Sequence, residues 1–222
     1  MTLQNLFTSR AFWSRRQRSS AGALLIAGSL LLAGCAGSSP ADPGTASPAA
    51  SESGTPSAPA TPTPTPSAVY KPADASGPAQ NVPVPVLPDV AKTETKEGAE
   101  AFTKYWFSIL SYAYETGDTA SLSKLSKAEC SFCQGLVDDI EAAWADGKWI
   151  SGGQIEIPAA TAKPATDGST QVILQVLQKE LVIRNQDGSP YQEKTAATNT
   201  GSVAMVKFGD AGWVVDDLGL IR

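Results

Sequence analysis

The chain has 222 residues, with 17 Lys and Arg against 22 Asp and Glu, a net charge of −5 and no histidine. This acidic balance lacks the clustered cations that phosphate backbones demand, which excludes nucleic acid as a partner. Without imidazole, Ser-His-Asp and Cys-His catalysis are also excluded, along with the commonest metal ligand, and neither metal nor organic cofactor is expected.

Residues 1–34 read as an export signal. Arg10, Arg15, Arg16 and Arg18 make a basic start without acidic residues, and Ala21 to Ala33 follows as an apolar run with Leu24, Leu25, Ile26, Leu30, Leu31 and Leu32. About a dozen such residues suit a signal core and fall short of the ~20 that span a bilayer. Leu32-Ala33-Gly34-Cys35 closes the run, with small residues that fit a peptidase groove and a thiol that can accept diacylglycerol. These four positions resemble the lipobox of bacterial lipoproteins. The resemblance implies that Leu32, Ala33 and Gly34 are the signal-peptidase recognition site and that Cys35 is the first mature residue and the lipid anchor. The two chains of a diacylglyceryl group then hold the protein to the outer face of the plasma membrane, extracytoplasmic. The alternative is an ordinary secretory signal with a chance cysteine. Arg15-Arg16 invites twin-arginine export, but Gln17-Arg18-Ser19 stands where apolar residues belong, which favours general secretion.

Residues 35–94 read as the lipidated cysteine and a tether. Thirteen of the 16 prolines lie between Ala36 and Pro88, among Ser, Thr, Ala and Gly, with Ala60-Thr61-Pro62-Thr63-Pro64-Thr65-Pro66 the most repetitive piece. Such a composition buries too little apolar surface to offset chain entropy and predicts disorder. Fifty residues extended at ~3.1 Å each reach on the order of 150 Å. The alternatives are a plain spacer and an O-glycosylated stalk, and Val82-Pro83-Val84-Pro85-Val86-Leu87-Pro88 is a candidate strap on the domain.

Residues 95–222 read as one α+β domain. Phe102, Tyr105, Trp106, Ile109, Leu110 and Ala113 recur at three- and four-residue steps and predict a helix from Glu97 to Thr116, stopped by Gly117-Asp118. A short helix from Thr119 to Lys127 and a third from Cys130 to Ala145 follow. Strands are predicted over Trp149 to Pro158, Thr170 to Arg184, Val203 to Phe208 and Trp213 to Leu218, with Tyr191 to Thr198 an edge strand or a loop. Helices followed by antiparallel strands predict three helices packed on one side of a sheet.

The aromatic first helix, Thr116-Gly117-Asp118 before a short Leu-bearing helix, the third helix and the closing Gly212-Trp213-Val214-Val215 strand resemble the cone-shaped α+β superfamily of SnoaL-like and limonene-epoxide-hydrolase-like proteins. That resemblance implies a curved sheet and a pocket between sheet and first helix. More narrowly, Tyr112-Ala113-Tyr114-Glu115-Thr116-Gly117-Asp118, Cys130-Ser131-Phe132-Cys133 and Asp146-Gly147 are similar to a family of actinobacterial lipoproteins of unknown function. This implies a Gram-positive source and no particular activity.

Two candidate chemistries follow. Tyr105, Trp106, Tyr112 and Trp144 are candidate pocket-lining residues with Asp139 or Asp216 as a carboxylate, although an aromatic stripe at helical spacing reads first as core. Cys130 and Cys133 are a candidate disulfide; a helix N-terminus lowers a thiol pKa, but no βαβ context surrounds the pair, which favours a local structural bridge over a thiol oxidoreductase. The leading functional expectation is a non-catalytic, membrane-anchored surface protein whose domain binds a ligand, a cell-wall component or a protein partner. A small-molecule enzyme using a pocket carboxylate with Tyr is the alternative.

Overall fold

The computed structural model describes residues 69–221. The signal peptide, the peptidase site Leu32, Ala33 and Gly34, the anchor Cys35 and the tether up to residue 68 lie outside the described residues.

Helix α1 spans Lys96–Thr116. The Thr95 hydroxyl caps it by accepting the Gly98 N–H at 3.0 Å, and Gly117 ends it in the left-handed region at φ 75. A Cβ at Gly117 would also stand 2.8 Å from the Trp144 ring, so sterics and conformation both demand glycine there. Helices α2 (Ala120–Lys124) and α3 (Ser131–Trp144) complete the helical layer. All three agree with the residue spacing, the second being shorter than expected.

Six strands follow: β1 (Trp149–Gly152), β2 (Ile155–Pro164), β3 (Thr170–Gln178), β4 (Leu181–Arg184), β5 (Thr198–Gly209) and β6 (Gly212–Leu220). They form a two-stranded antiparallel sheet, β1-β4, and a four-stranded antiparallel sheet, β2-β3-β5-β6. Among the described residues the fold class is thus α+β, with three α-helices and antiparallel sheets. Each of the first two expected strands divides between the sheets. Gly152 pairs with Leu181 and Ile155 with Gln178 in one unslipped register, so a single long hairpin bends at its middle. Gly152 and Gly153 make the bend at φ 82 and 79, and a Cβ on Gly152 would overlap the Glu180 carbonyl. The ambiguous Tyr191 to Thr198 stretch is mostly loop, touching β4 through the Leu181–Thr195 bridge before β5 begins.

Both edges of the larger sheet are covered. On β2 the Glu100 carboxylate accepts the Ala162 N–H at 2.8 Å, and the Ser111 hydroxyl accepts the Ile155 N–H at 3.2 Å. On β6 the loop after α2 pairs with Val215, whose N–H donates to the Leu125 carbonyl and whose carbonyl accepts from Lys127. These four edge groups, which would otherwise help template another chain, are satisfied internally.

Residues 69–94 are not the disordered end of the tether that composition predicts. Lys71 and Gln80 close a tight hairpin, and Asp89–Lys92 forms a 3-10 turn with Ala91 buried. The Asp74 carbonyl accepts the Trp149 indole N–H and the Thr93 carbonyl accepts that of Trp213, both at 2.9 Å. The Tyr70 hydroxyl donates to the buried Glu115 carboxylate at 2.7 Å, and its pKa is pushed up to about 12 by burial and then by that carboxylate. Proline-rich chain is ordered here because distant aromatic and acidic groups supply partners. Within the Val82–Pro88 strap, Leu87 packs on the core while Val84 and Val86 are exposed.

Candidate functional site

The inner face of the larger sheet carries Val172, Leu174, Val176 and Gln178 on β3, since alternate residues share a face. Opposite them on β5 stand Thr198 beside Gln178, Thr200 beside Val176, Ser202 beside Leu174 and Ala204 beside Val172. Partners in an antiparallel pair share a face. The inner face therefore changes character along its length, from apolar around Ala204 and Val206 to amide and hydroxyl at the Gln178–Thr198 end.

Over that polar end lies a small interior cavity with about 10 Å³ of water-accessible space. Phe107 and Leu110 of α1 and Phe132 and Leu136 of α3 form its roof, and Gln178 and Ser202 contribute polar groups to its floor. Ile155 and Leu220 form its walls and, like Phe132 of the roof, are half-buried; no ionisable side chain lines it. Gln178 is 2% exposed, yet neither its amide nitrogen nor its oxygen has a hydrogen-bond partner among the described residues. The Thr198 and Thr200 hydroxyls are buried and unpartnered as well; the fifth such atom is the Tyr114 hydroxyl. Four of five orphaned atoms thus gather at one end of one sheet face. Burying an unpaired amide or hydroxyl costs about 1–3 kcal/mol each, so the cluster calls for an explanation.

None of the four expected aromatic residues lines this cavity. Trp106 is fully buried in the core and donates its indole N–H to Ser126 Oγ at 2.9 Å. Trp144 covers the end of α1 and donates to the Tyr114 carbonyl at 3.2 Å. Tyr105 and Tyr112 are half-buried. Neither candidate carboxylate lines it either. Asp216 pairs with Lys127 and, at 3.3 Å, with Lys207; the Lys127 bond and then Lys207 hold its pKa below the usual range despite partial burial. Asp139 on α3 faces Tyr114, whose pKa is pushed up by burial and then by that carboxylate. The polar residues that do meet at the pocket are legible only as alternation: Gln178 continues the inward series of β3, and Ser202 occupies an inward position of β5, with Thr198 and Thr200 on the same face beyond the cavity lining.

Cys130 and Cys133 form a disulfide. Cys130 Sγ also caps α3, accepting the Cys133 N–H at 3.2 Å. The residues are 1% and 0% exposed, which closes the sulfurs to the attacking thiolate that exchange chemistry needs. Phe132 stands between them, so the bridge fixes one wall of the pocket.

A second, open concavity of about 630 Å³ lies at the other end of the sheet. Phe102, Phe208 and Trp213 form its floor, with rings 6.5 and 5.1 Å from Trp213, and Lys92, Glu94 and Asp210 stand at its rim. Its indole is already engaged by Thr93, and no orphaned polar side-chain atom faces it.

A family model described as a family of unknown function, DUF6318, matches residues 68–219, nearly the whole described region. Among curated proteins no sequence matches significantly. Among solved structures, the intermembrane-space region of the chloroplast protein ARC6 is similar at 11% identity and a TM-score of 0.42, covering 59% of this chain and 98% of that one. That likeness is not to a SnoaL-like protein and is too distant to carry an argument.

Proposed function

Because the chain belongs to the DUF6318 family, whose description assigns no activity, we propose a function from its own residues. It is a cell-surface lipoprotein of actinobacterial type, tethered through diacylglyceryl-Cys35, and its cone-like domain is a non-catalytic binding module. The anchor rests on Leu32-Ala33-Gly34-Cys35 and the apolar run before it. The binding reading is carried by Gln178, a buried carboxamide with unpartnered donor and acceptor facing an apolar cavity. Binding is preferred to catalysis because the pocket lining holds no ionisable side chain to move a proton or to activate the Ser202 hydroxyl. Thiol exchange is disfavoured by the burial of both sulfurs.

Two measurements test this reading. Intact-mass analysis of the membrane fraction should find a chain starting at diacylglyceryl-Cys35, and Cys35→Ala should release the protein to the medium; a mature chain starting at an unmodified residue elsewhere would refute the anchor. For the domain, wild-type and Gln178→Leu proteins are recovered from cells and their small-molecule content is compared by native mass spectrometry. A ligand carried by the wild type and lost from the variant supports the binding module. Identical spectra contradict it.

A further inference from the structure

We propose that the pocket at Gln178 is selective for uncharged ligands that carry a carboxamide-like end, seated on Gln178, and an apolar body lying between Phe132, Ile155 and Leu220. This deepens the binding reading and rests on it. Three observations define the ligand class.

The first is charge. No ionisable side chain lines the cavity, so a carboxylate or ammonium entering it would lose its hydration without gaining a counter-ion. Ionic ligands are therefore rejected by desolvation alone. The second is hydrogen-bonding capacity. Gln178 offers both an N–H donor and a carbonyl acceptor in one plane, each unpartnered. A second amide satisfies both at once through two antiparallel N–H···O bonds. A ligand that only accepts, or only donates, leaves half of Gln178 unpaired. Ser202, which shares the polar floor with Gln178, adds a hydroxyl that can take a remaining donor or acceptor of the ligand.

The third is shape. The water-accessible space at the polar floor is about 10 Å³, close to what one water-sized group requires. It suits a terminal group and not a whole molecule, so the rest of the ligand must extend outward. Phe132, Ile155 and Leu220 belong to three different elements and are half-buried, whereas Leu136 and Leu218 behind them are buried. The apolar body thus leaves through the side where side chains from separate elements meet, displacing them along its path.

The test is a titration of the folded protein at pH 7 with four probes of one chain length: butanamide, 1-butanol, butanoate and butylammonium. Binding is followed through the side-chain amide resonances of Gln178. Butanamide should shift those resonances saturably and bind about tenfold or more tighter than butanoate and butylammonium, with 1-butanol between. Gln178→Leu should weaken butanamide about tenfold, read from backbone resonances of Leu136 and Ser202. Equal affinity for the ionic probes, or no loss in Gln178→Leu, overturns the inference, as does saturation that leaves the Gln178 resonances unmoved. If the protein recovered from cells carries a Gln178-dependent ligand that is ionic, the selectivity fails while the binding module stands. If neither recovered ligand nor probes engage the pocket, both fail together.

Discussion

At one end of the inner sheet face, buried polar groups are matched. The Trp106 indole donates to Ser126 Oγ, the Ser126 hydroxyl donates to the Leu122 carbonyl, and the Trp213 indole donates to the Thr93 carbonyl. At the other end, reached along the same strand β5, Gln178, Thr198 and Thr200 are buried without partners. Strand geometry is common to both ends, so local backbone does not explain the contrast. The difference lies in what packs above. The first end is covered by chain that supplies acceptors, namely the 87–94 strap and the loop after α2. The second is covered only by Phe107, Leu110, Phe132 and Leu136, which supply none. A matched end holds a fold together, and an unmatched end is what a binding site requires: polar groups held ready in a largely apolar wall.

This contrast is broken most severely by removing the cover of the matched end. A chain begun at Thr95 leaves the Trp149 and Trp213 indoles without acceptors and exposes the faces that Leu87 and Ala91 bury. It should lose about 4–8 kcal/mol, enough to abolish cooperative unfolding in a denaturant titration, whereas a chain begun at Ser67 should unfold like the full one. Trp106→Ala, within the same matched end, should cost about 3–5 kcal/mol through lost burial, a cavity and an unpaired Ser126, measured by the same titration. Replacing both Cys130 and Cys133 by Ala should cost only about 2 kcal/mol, because the bridge closes a very short loop; thermal melts with and without reductant should differ for the wild type and coincide for the variant.

The smallest effect belongs to neither end. Asp216 is an ion-pair partner away from the pocket, and its pKa in the folded chain lies below the unfolded value. Its contribution is therefore present above the unfolded pKa of about 3.9 and is lost as pH falls through the folded one. Asp216→Asn should lower the melting temperature by no more than about 1–2 °C at pH 7 and flatten the loss of stability below about pH 4. A steeper acid limb in the variant would contradict this.

What could be read in the residues followed from how local each feature is. Helix α1 was legible from Phe102, Trp106, Ile109 and Ala113, and its end from Gly117, because periodicity and a left-handed glycine act within one turn. The break of two expected strands was not, although Gly152-Gly153 stood in plain view; alternation runs through the bend, and only its φ values send the halves to different sheets. The order of residues 69–94 was hidden for a different reason. Their partners Trp149, Glu115 and Trp213 lie 45 to 120 residues away. The aromatic stripe of α1 reads first as core, and helix packing does bury Trp106 there, but nothing in that stripe points to where the cavity lies. Gln178 and Thr198 became a pair only through a register that joins positions 20 residues apart. The signal was present as polar residues at inward strand positions, but its meaning required the sheet.

The central claim is that the Gln178 end keeps unpaired polar groups for a ligand at a cost to the empty fold. The melting temperature of ligand-free Gln178→Leu against ligand-free wild type tests it most directly. If the carboxamide is unpartnered, leucine removes a buried desolvation penalty of about 1–3 kcal/mol at similar volume, and the melting temperature should rise by roughly 2–8 °C. A fall of similar size would mean that Gln178 is a satisfied structural group, and the pocket would lose its standing as a binding site.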